Sequence, residues 1–441
     1  MKGRVVKGQG PSIEPPCDLT CEYPAGRGKA WLFWALPAFF FLYEFMLRVS
    51  PSVVAPQLTT EFHANAAEFG FSMGLYYYAY APMQLVVGIM LDRFGSRRPL
   101  AIAALICAAG AAVFAVAHSL EMAGAGRLLA GIGSAFAYVG TIYVASVWFP
   151  RSRLALIAGV TAALGMAGAV AGEVVLEWIE DVVTWRQSFW GFAIAGVVLG
   201  VGMWLLVPKR PRWFEEVSRK SRTHDGVFHG LGCVLRSRRT WALSCVAGLL
   251  YLPVGVFGAL WGNWFLEDGL DIASPADADA MLFVGLGIAA PVLGWVSDRF
   301  ERPRLVLQVG IGAAFAATVL LLLLTPAQKW AAIPLLLVLG LGVGSIVVAF
   351  PMAMHLNPHH ARGTAITFIN FSQMLLVGVG QWLIGVFLDA DAHVAHHAAK
   401  VVGPDSFSLN DFRVAFLVLP IGLVVAFLFT WMLREGVEHQ A

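Results

Sequence analysis

Apolar runs of about twenty residues, separated by short polar or glycine- and proline-bearing breaks, recur along the whole chain. They predict helices at about 31–55, 68–91, 98–117, 123–147, 154–176 and 188–207. A second set follows at about 241–266, 278–296, 304–324, 330–354, 363–388 and 412–433. At about 1.5 Å per residue, each is long enough to cross a hydrocarbon core of about 30 Å. The pattern predicts an all-α membrane protein: twelve transmembrane helices in two pseudo-symmetric six-helix bundles. The chain then divides into an N-terminal tail (1–30), a first bundle (31–207), a linker (208–240), a second bundle (241–434) and a C-terminal tail (435–441).

A sequence repeat supports the two halves. Gly88, Asp92, Arg93, Phe94 and Arg98, between the second and third helices, return as Gly294, Asp298, Arg299, Phe300 and Arg304, at an offset of 206 in 441 residues. Gly95 is not kept, since Glu301 stands at its equivalent.

Composition narrows the class. A chain that is 58% hydrophobic and 13% charged, with a mean hydropathy of +0.72, has more apolar residues than a soluble core of this size needs. Nucleic acid is not an expected partner. The five cysteines have no disulfide-framework spacing, and the tail residues Cys17 and Cys21 read as bystanders. Residues 1–30 have no apolar core like that of a cleaved signal peptide, so the first helix is expected to stay in the protein. Of the 30 Lys and Arg, 24 fall in the tails, the linker and the loops on one side. This bias predicts that both termini and the linker are cytoplasmic. Two arginines, Arg48 and Arg127, lie inside helices.

The stretch Gly88, Asp92, Arg93, Gly95, Arg97 and Arg98 resembles the Gly-x-x-x-Asp-Arg-x-Gly-x-Arg-Arg signature of the major facilitator superfamily, with a degraded repeat at Asp298 and Arg299. Arg127, Gly131, Gly133 and Ala135 are similar to a second pattern of that family, in which the arginine is linked to proton coupling. The antiporter pattern of the fifth helix is half present: Gly159, Gly168 and Gly172 fit, but Glu173 stands where proline belongs. The resemblance covers about 31–434 and implies twelve helices, alternating access, and a gating role for the signature loop. It also implies that helices 1, 4, 7 and 10 line a central cavity.

Glu44 and Arg48 share a face of the first helix, roughly 20 and 25 Å in from its start. An ionisable group at that depth costs about 2.5 to 3.5 kcal/mol on insertion scales, so it faces partners or a wet cavity. The bland alternative is an ion pair that only holds the bundle together. The sharper one has Arg48 attracting a substrate carboxylate while Glu44 exchanges a proton. Arg127 can reach the same depth, so three charges could converge. Tyr76, Tyr80 and Gln84 line one face of the second helix, where buried hydroxyls need partners. Asn263, Asn370 and Gln373 are the candidate contacts from the second half, with interhelical hydrogen bonding as the alternative. Glu173 and Glu177 read as interfacial residues reaching for water. His393, His396 and His397 have helical spacing beside Asp389 and Asp391 but no evident fourth ligand, so neither a metal nor a cofactor is expected.

The expected function is secondary active transport of a small carboxylate-bearing solute, coupled to protons. The cargo would be an organic anion, sugar acid, amino acid or dipeptide. Arg48 followed by Ser50, Pro51 and Pro56 resembles the first helix of organic-anion and sugar-acid symporters, and the whole is similar to a bacterial branch near the lysosomal dipeptide transporters. The alternatives are a drug or metabolite efflux antiporter and, in another class, a transporter-like membrane sensor. No catalytic constellation suggests an enzyme. A monomer in a bacterial inner membrane is expected.

Overall fold

A computed structural model describes residues 27–180, 182–209, 227–358, 361–395 and 407–433. Among them every regular element is helical. The long helices of the first half are α1 (Arg27–Val53), α2 (Ala66–Phe94), α3 (Arg97–Ala115), α4 (Leu120–Trp148), α5 (Leu154–Glu180) and α6 (Trp185–Leu206). Those of the second are α7 (Arg238–Gly269), α8 (Pro275–Phe300), α9 (Pro303–Leu323), α10 (Pro326–Leu356), α11 (Arg362–Ala395) and α12 (Leu409–Thr430). Short helices Ala55–Phe62 and Val227–Arg236 follow α1 and precede α7. Eleven of the twelve are apolar and long enough to cross a membrane. The exception by hydropathy is α2, 29 residues long, whose tyrosines and Gln84 dilute an otherwise apolar helix that packs inside the protein.

Side-chain caps fix where several helices begin. Asn65 with Glu68, Thr184 with Gln187, and Ser408 with Asp411 form capping boxes that satisfy orphan N–H groups at the starts of α2, α6 and α12. Proline fixes where others bend. Pro51 in α1 has no N–H, so the Leu47 carbonyl loses its helical partner, and the Ser50 hydroxyl donates to it instead at 3.1 Å. After Pro253, α7 widens into π-helical turns over Val254–Trp261 and Phe265–Gly269.

The two halves repeat their packing. In the first, α2 packs on α4, α1 on α5, and α3 on α4 and α6; in the second, α8 packs on α10, α7 on α11, and α9 on α10 and α12. Across the halves, α2 meets α11 and α5 meets α8. The signature loops, the helix before α7 and the start of α1 share one end of the molecule, here called the basic face. The opposite end is the far face.

At the far face the halves are shut against each other. Gly70 and Gly385 let the backbones of α2 and α11 approach so closely that neither site has room for a side chain. Asp389 of α11 accepts from the Ala66 and Ala67 N–H groups at 3.0 and 2.8 Å, capping α2 from the other half. In the equivalent place across the pseudo-twofold, Glu177 of α5 accepts from the Ala276 N–H of α8 at 3.2 Å. The stacked rings of Trp261 and Trp264 receive the edge of Phe69 between these caps.

Candidate functional site

Near the middle of the first half, α1, α2 and α4 bring Glu44, Arg48, Tyr76, Tyr80 and Arg127 together, all buried. Arg48 Nη2 pairs with Glu44 Oε1, four residues earlier on the same helix. The Tyr76 hydroxyl donates to that carboxylate oxygen at 2.7 Å and accepts from Arg48 Nε at 3.4 Å. The second carboxylate oxygen, Glu44 Oε2, is buried with no hydrogen-bond partner. Aromatic faces surround the Arg48 guanidinium: the ring centroids of Phe45, Tyr80 and Tyr76 lie 4.3, 5.2 and 5.7 Å from its Cζ.

Arg127 enters from α4 and lies over the Tyr76 ring, 4.5 Å from its centroid. Its donors are spent on backbone: Nη1 to Leu47 O at 2.7 Å, Nη2 to Arg48 O at 3.1 Å and Nε to Met73 O at 3.5 Å. The first is the carbonyl stripped of its helical partner by Pro51. Arg127 therefore clamps the kinked end of α1 and adds its charge to the site, while Arg48 is the guanidinium that faces the side chains. Formal charges of +2 and −1 leave this cluster with one uncompensated positive charge, enclosed by aromatic rings. From the second half, Tyr251 of α7 reaches Arg48, so the site touches both halves. Nothing local in the sequence ties Tyr251 to Arg48, about two hundred residues earlier in the chain.

The other candidates fall elsewhere. Gln84 donates to the Ala135 carbonyl at 3.4 Å, filling an acceptor freed where α4 breaks its regular helix. Asn263 is not a contact of the Arg48 cluster. Its amide bonds Glu173 Oε2 at 2.7 Å and Ser52 Oγ at 3.3 Å, one helical end away. Glu173 itself is fully buried, which corrects the expectation that it reaches water: α1, α7 and α8 close over the helix face it occupies. On α11, Gln373 is buried with its Nε2 unpartnered and Asn370 is half-buried, and neither bonds the cluster. Gln381, by contrast, holds the widened turn of α7 by donating to Gly255 O at 2.8 Å.

The signature loop lies on the basic face, where Asp92, Arg93, Asp298 and Arg299 are exposed, Arg98 is exposed and Arg97 half-buried. Gly88 has open space around it. Both copies close their helix with the same N–H to C=O bond, Gly95 to Leu91 and Glu301 to Ser297, each 2.9 Å. Gly95 does so at φ 74 and ψ −177, a region that a side chain rarely enters; Glu301 sits at φ 54 and ψ 30, ordinary left-handed space. That is why glycine is needed in one copy and not in the other. His396, His397, Cys17 and Cys21 lie outside the described residues.

Comparison with known proteins agrees with this geometry. Residues 37–381 match the family model described as Major Facilitator Superfamily. An uncharacterized transporter of Bacillus subtilis, YybO, is 23% identical over 89% of this chain and 92% of its own length. The hexuronate transporter of Escherichia coli K12 is 23% identical over 53% of this chain and 56% of its own. The crystal structure of a bacterial homolog to the human lysosomal transporter Spinster superposes with a TM-score of 0.74 at 16% identity, over 92% of this chain and 97% of that one.

Proposed function

Because the chain belongs to the Major Facilitator Superfamily and is a membrane transporter rather than an enzyme, we propose that its cargo is a small solute with a carboxylate, carried together with protons by alternating access. The uncompensated positive charge of the Glu44–Arg48–Arg127 cluster carries this reading. A buried charge of that kind lowers its own cost by drawing in an anion. The aromatic rings around it suit the carbon skeleton of a sugar acid or a small peptide, and the likeness to a hexuronate transporter favours the sugar acid. With the basic face cytoplasmic, as the positive charge on it favours, the shut far face closes the site off from the outside.

In the cycle, an anion arriving at Arg48 competes with Glu44 for the guanidinium. Glu44 then loses its counter-charge in a buried place, where taking up a proton is the least costly response. Binding of anion and proton are linked in this way, and neither crosses efficiently without the other.

The test is counterflow and uphill uptake in proteoliposomes with a hexuronate, an aldonate and a dipeptide. Arg48→Ala is expected to reduce uptake at least about 100-fold, the scale set by losing a buried charge-assisted contact of roughly 3 kcal/mol. A neutral sugar that competes as well as its uronic acid, or uptake that survives in Arg48→Ala, would overturn the anion assignment.

A further inference from the structure

A second carboxyl site lies at the far face, distinct from the Arg48 cluster. Hydrogen bonds join Ser52 on α1, Glu173 on α5 and Asn263 on α7, and Asp279 on α8, the helix that packs on α5, is near enough to act on Glu173. All four are at least nine-tenths buried. Ser52 Oγ lies 2.6 Å from Glu173 Oε1 and 2.7 Å from the Val49 carbonyl, and Asn263 Nδ2 reaches it at 3.3 Å. A hydroxyl has one proton, and a carbonyl can only accept. If Ser52 serves Val49, the short contact to Glu173 is a hydrogen bond only when Glu173 supplies the proton. The chain then runs from the Glu173 acid to Ser52 to Val49 O, with the Asn263 amide on Glu173 Oε2, and each of these contacts is satisfied.

Asp279 makes the same demand more strongly. It is fully buried and neither of its oxygens has a hydrogen-bond partner, while Asn263 Oδ1 beside the cluster is also unpartnered. Asp279 from α8 and Glu177 from its own helix both act on Glu173, and both are acidic. Ser52 from α1 and Asn263 from α7 are neutral, and the remaining acids of α7, Glu267 and Asp268, add no positive charge. Among the described residues no Lys, Arg or His pairs with Glu173 or Asp279. Two ionised carboxylates here would repel inside the contact that holds the halves shut.

We propose that Glu173 and Asp279 form a second proton site, which holds its protons while the far face is closed and releases them to water when that face opens. Low pH on the far side therefore latches the closed state, and deprotonation drives α5 and α8 apart. Each step moves a proton between a carboxyl oxygen and water, with no other bond made or broken. The inference rests on the alternating-access reading but not on the identity of the cargo or on the Glu44 proton.

Hydrogen–deuterium exchange of the full-length protein in lipid nanodiscs tests it without substrate. Exchange is followed at 170–180 and 272–283 from about pD 5 to about pD 9 and corrected for the intrinsic rate. Protection in the wild type should fall by about tenfold per unit for each proton released, and so by up to about a hundredfold per unit once both carboxyls empty. Glu173→Gln, and Asp279→Asn should the first not fold, removes one of the two protons and the repulsion between the acids, so its protection should fall by no more than about tenfold per unit, and a variant that keeps the full wild-type slope overturns the proposal. Glu44→Gln should keep the wild-type pH response. Wild-type protection that ignores pH overturns the proposal whatever the variants do. So does loss of the response in Glu44→Gln, which would place the driving proton at the first site. Restored protection with sodium, but not choline, at high pD would make this a sodium site and overturn the proton assignment.

Discussion

Glu44 and Glu173 are both fully buried carboxyls on long helices of the first half, yet they solve the problem of burial in opposite ways. Glu44 has Arg48 on its own helix and Arg127 nearby, so its charge is compensated and the cluster has positive charge to spare. Glu173 has a hydroxyl, an amide and a second acid around it, so it is compensated only by a proton. The first arrangement is contained almost wholly in one half, and its charge suits a ligand that is itself charged. The second spans both halves, and its protonation bears on whether they stay together. A buried carboxyl thus marks chemistry in one place and conformation in the other.

The sharpest way to break this comparison is to remove each carboxylate while keeping its shape. Glu44→Gln leaves Arg48 with no anion and should destabilise the protein by about 3 kcal/mol, as breaking a buried pair does. Glu173→Gln keeps both contacts, because its amide can donate to Ser52 as the acid does, and should shift stability by less than about 0.5 kcal/mol. Thermal unfolding of the two variants in the same lipid at neutral pH reads the difference. Equal losses would mean that Glu173 is also held as an anion.

These two environments were unequally legible in the sequence. Twelve apolar runs and the Asp-Arg repeat identify the architecture, because lipid demands continuous helices and leaves little freedom in their length. Glu44 and Arg48 stand out because four-residue spacing on one helix puts them in reach without any tertiary information. Glu173 does not: its partners are Ser52, Asn263 and Asp279, separated from it by about a hundred residues or more, and a glutamate near a helix end ordinarily reaches water. Asn263 is equally silent, since nothing local says whether its neighbours are Glu173 and Ser52 or the Arg48 cluster. Asp389 lies just beyond the predicted end of its helix, and only the seven extra residues of α11 carry it to the start of α2.

A smaller effect separates the caps that close the far face. Asp389 accepts from the Ala66 and Ala67 N–H groups and Glu177 from that of Ala276, in equivalent positions of the pseudo-twofold. If closure depends on the protonated pair more than on the caps, Glu177→Gln, adjacent to that pair, should raise far-face exchange only slightly. Asp389→Asn should cost about 1 to 2 kcal/mol of closure, or roughly tenfold in the open population, by losing a charge at a helix N-terminus. Exchange at 66–74 and 272–283 measures the two. A Glu177→Gln effect as large as that of Asp389→Asn would mean that the α5–α8 seam is held by its cap instead of by Glu173 and Asp279.

Glu61 supplies a third carboxyl, paired like Glu44 but wet, and with a small expected effect. In the short helix after α1 it accepts from Arg186 Nη1 and Nη2 at 2.8 and 2.6 Å and from Trp185 Nε1 at 3.1 Å, with its side chain 41% exposed. The hydrogen bonds from Arg186 hold its carboxyl below the usual carboxylate range. A folded-state value below the unfolded one gives stability that is present above about pH 4.3 and is lost as pH falls through the folded value. Solvent screening limits that contribution to less than about 1 kcal/mol. Glu61→Gln should therefore unfold at slightly lower temperature than the wild type near neutral pH, and the two curves should converge in acid. A difference that persists in acid would show that the interaction is hydrogen bonding independent of charge. A difference as large as that of Glu44→Gln would remove burial as the reason why one Arg–Glu pair matters more than the other.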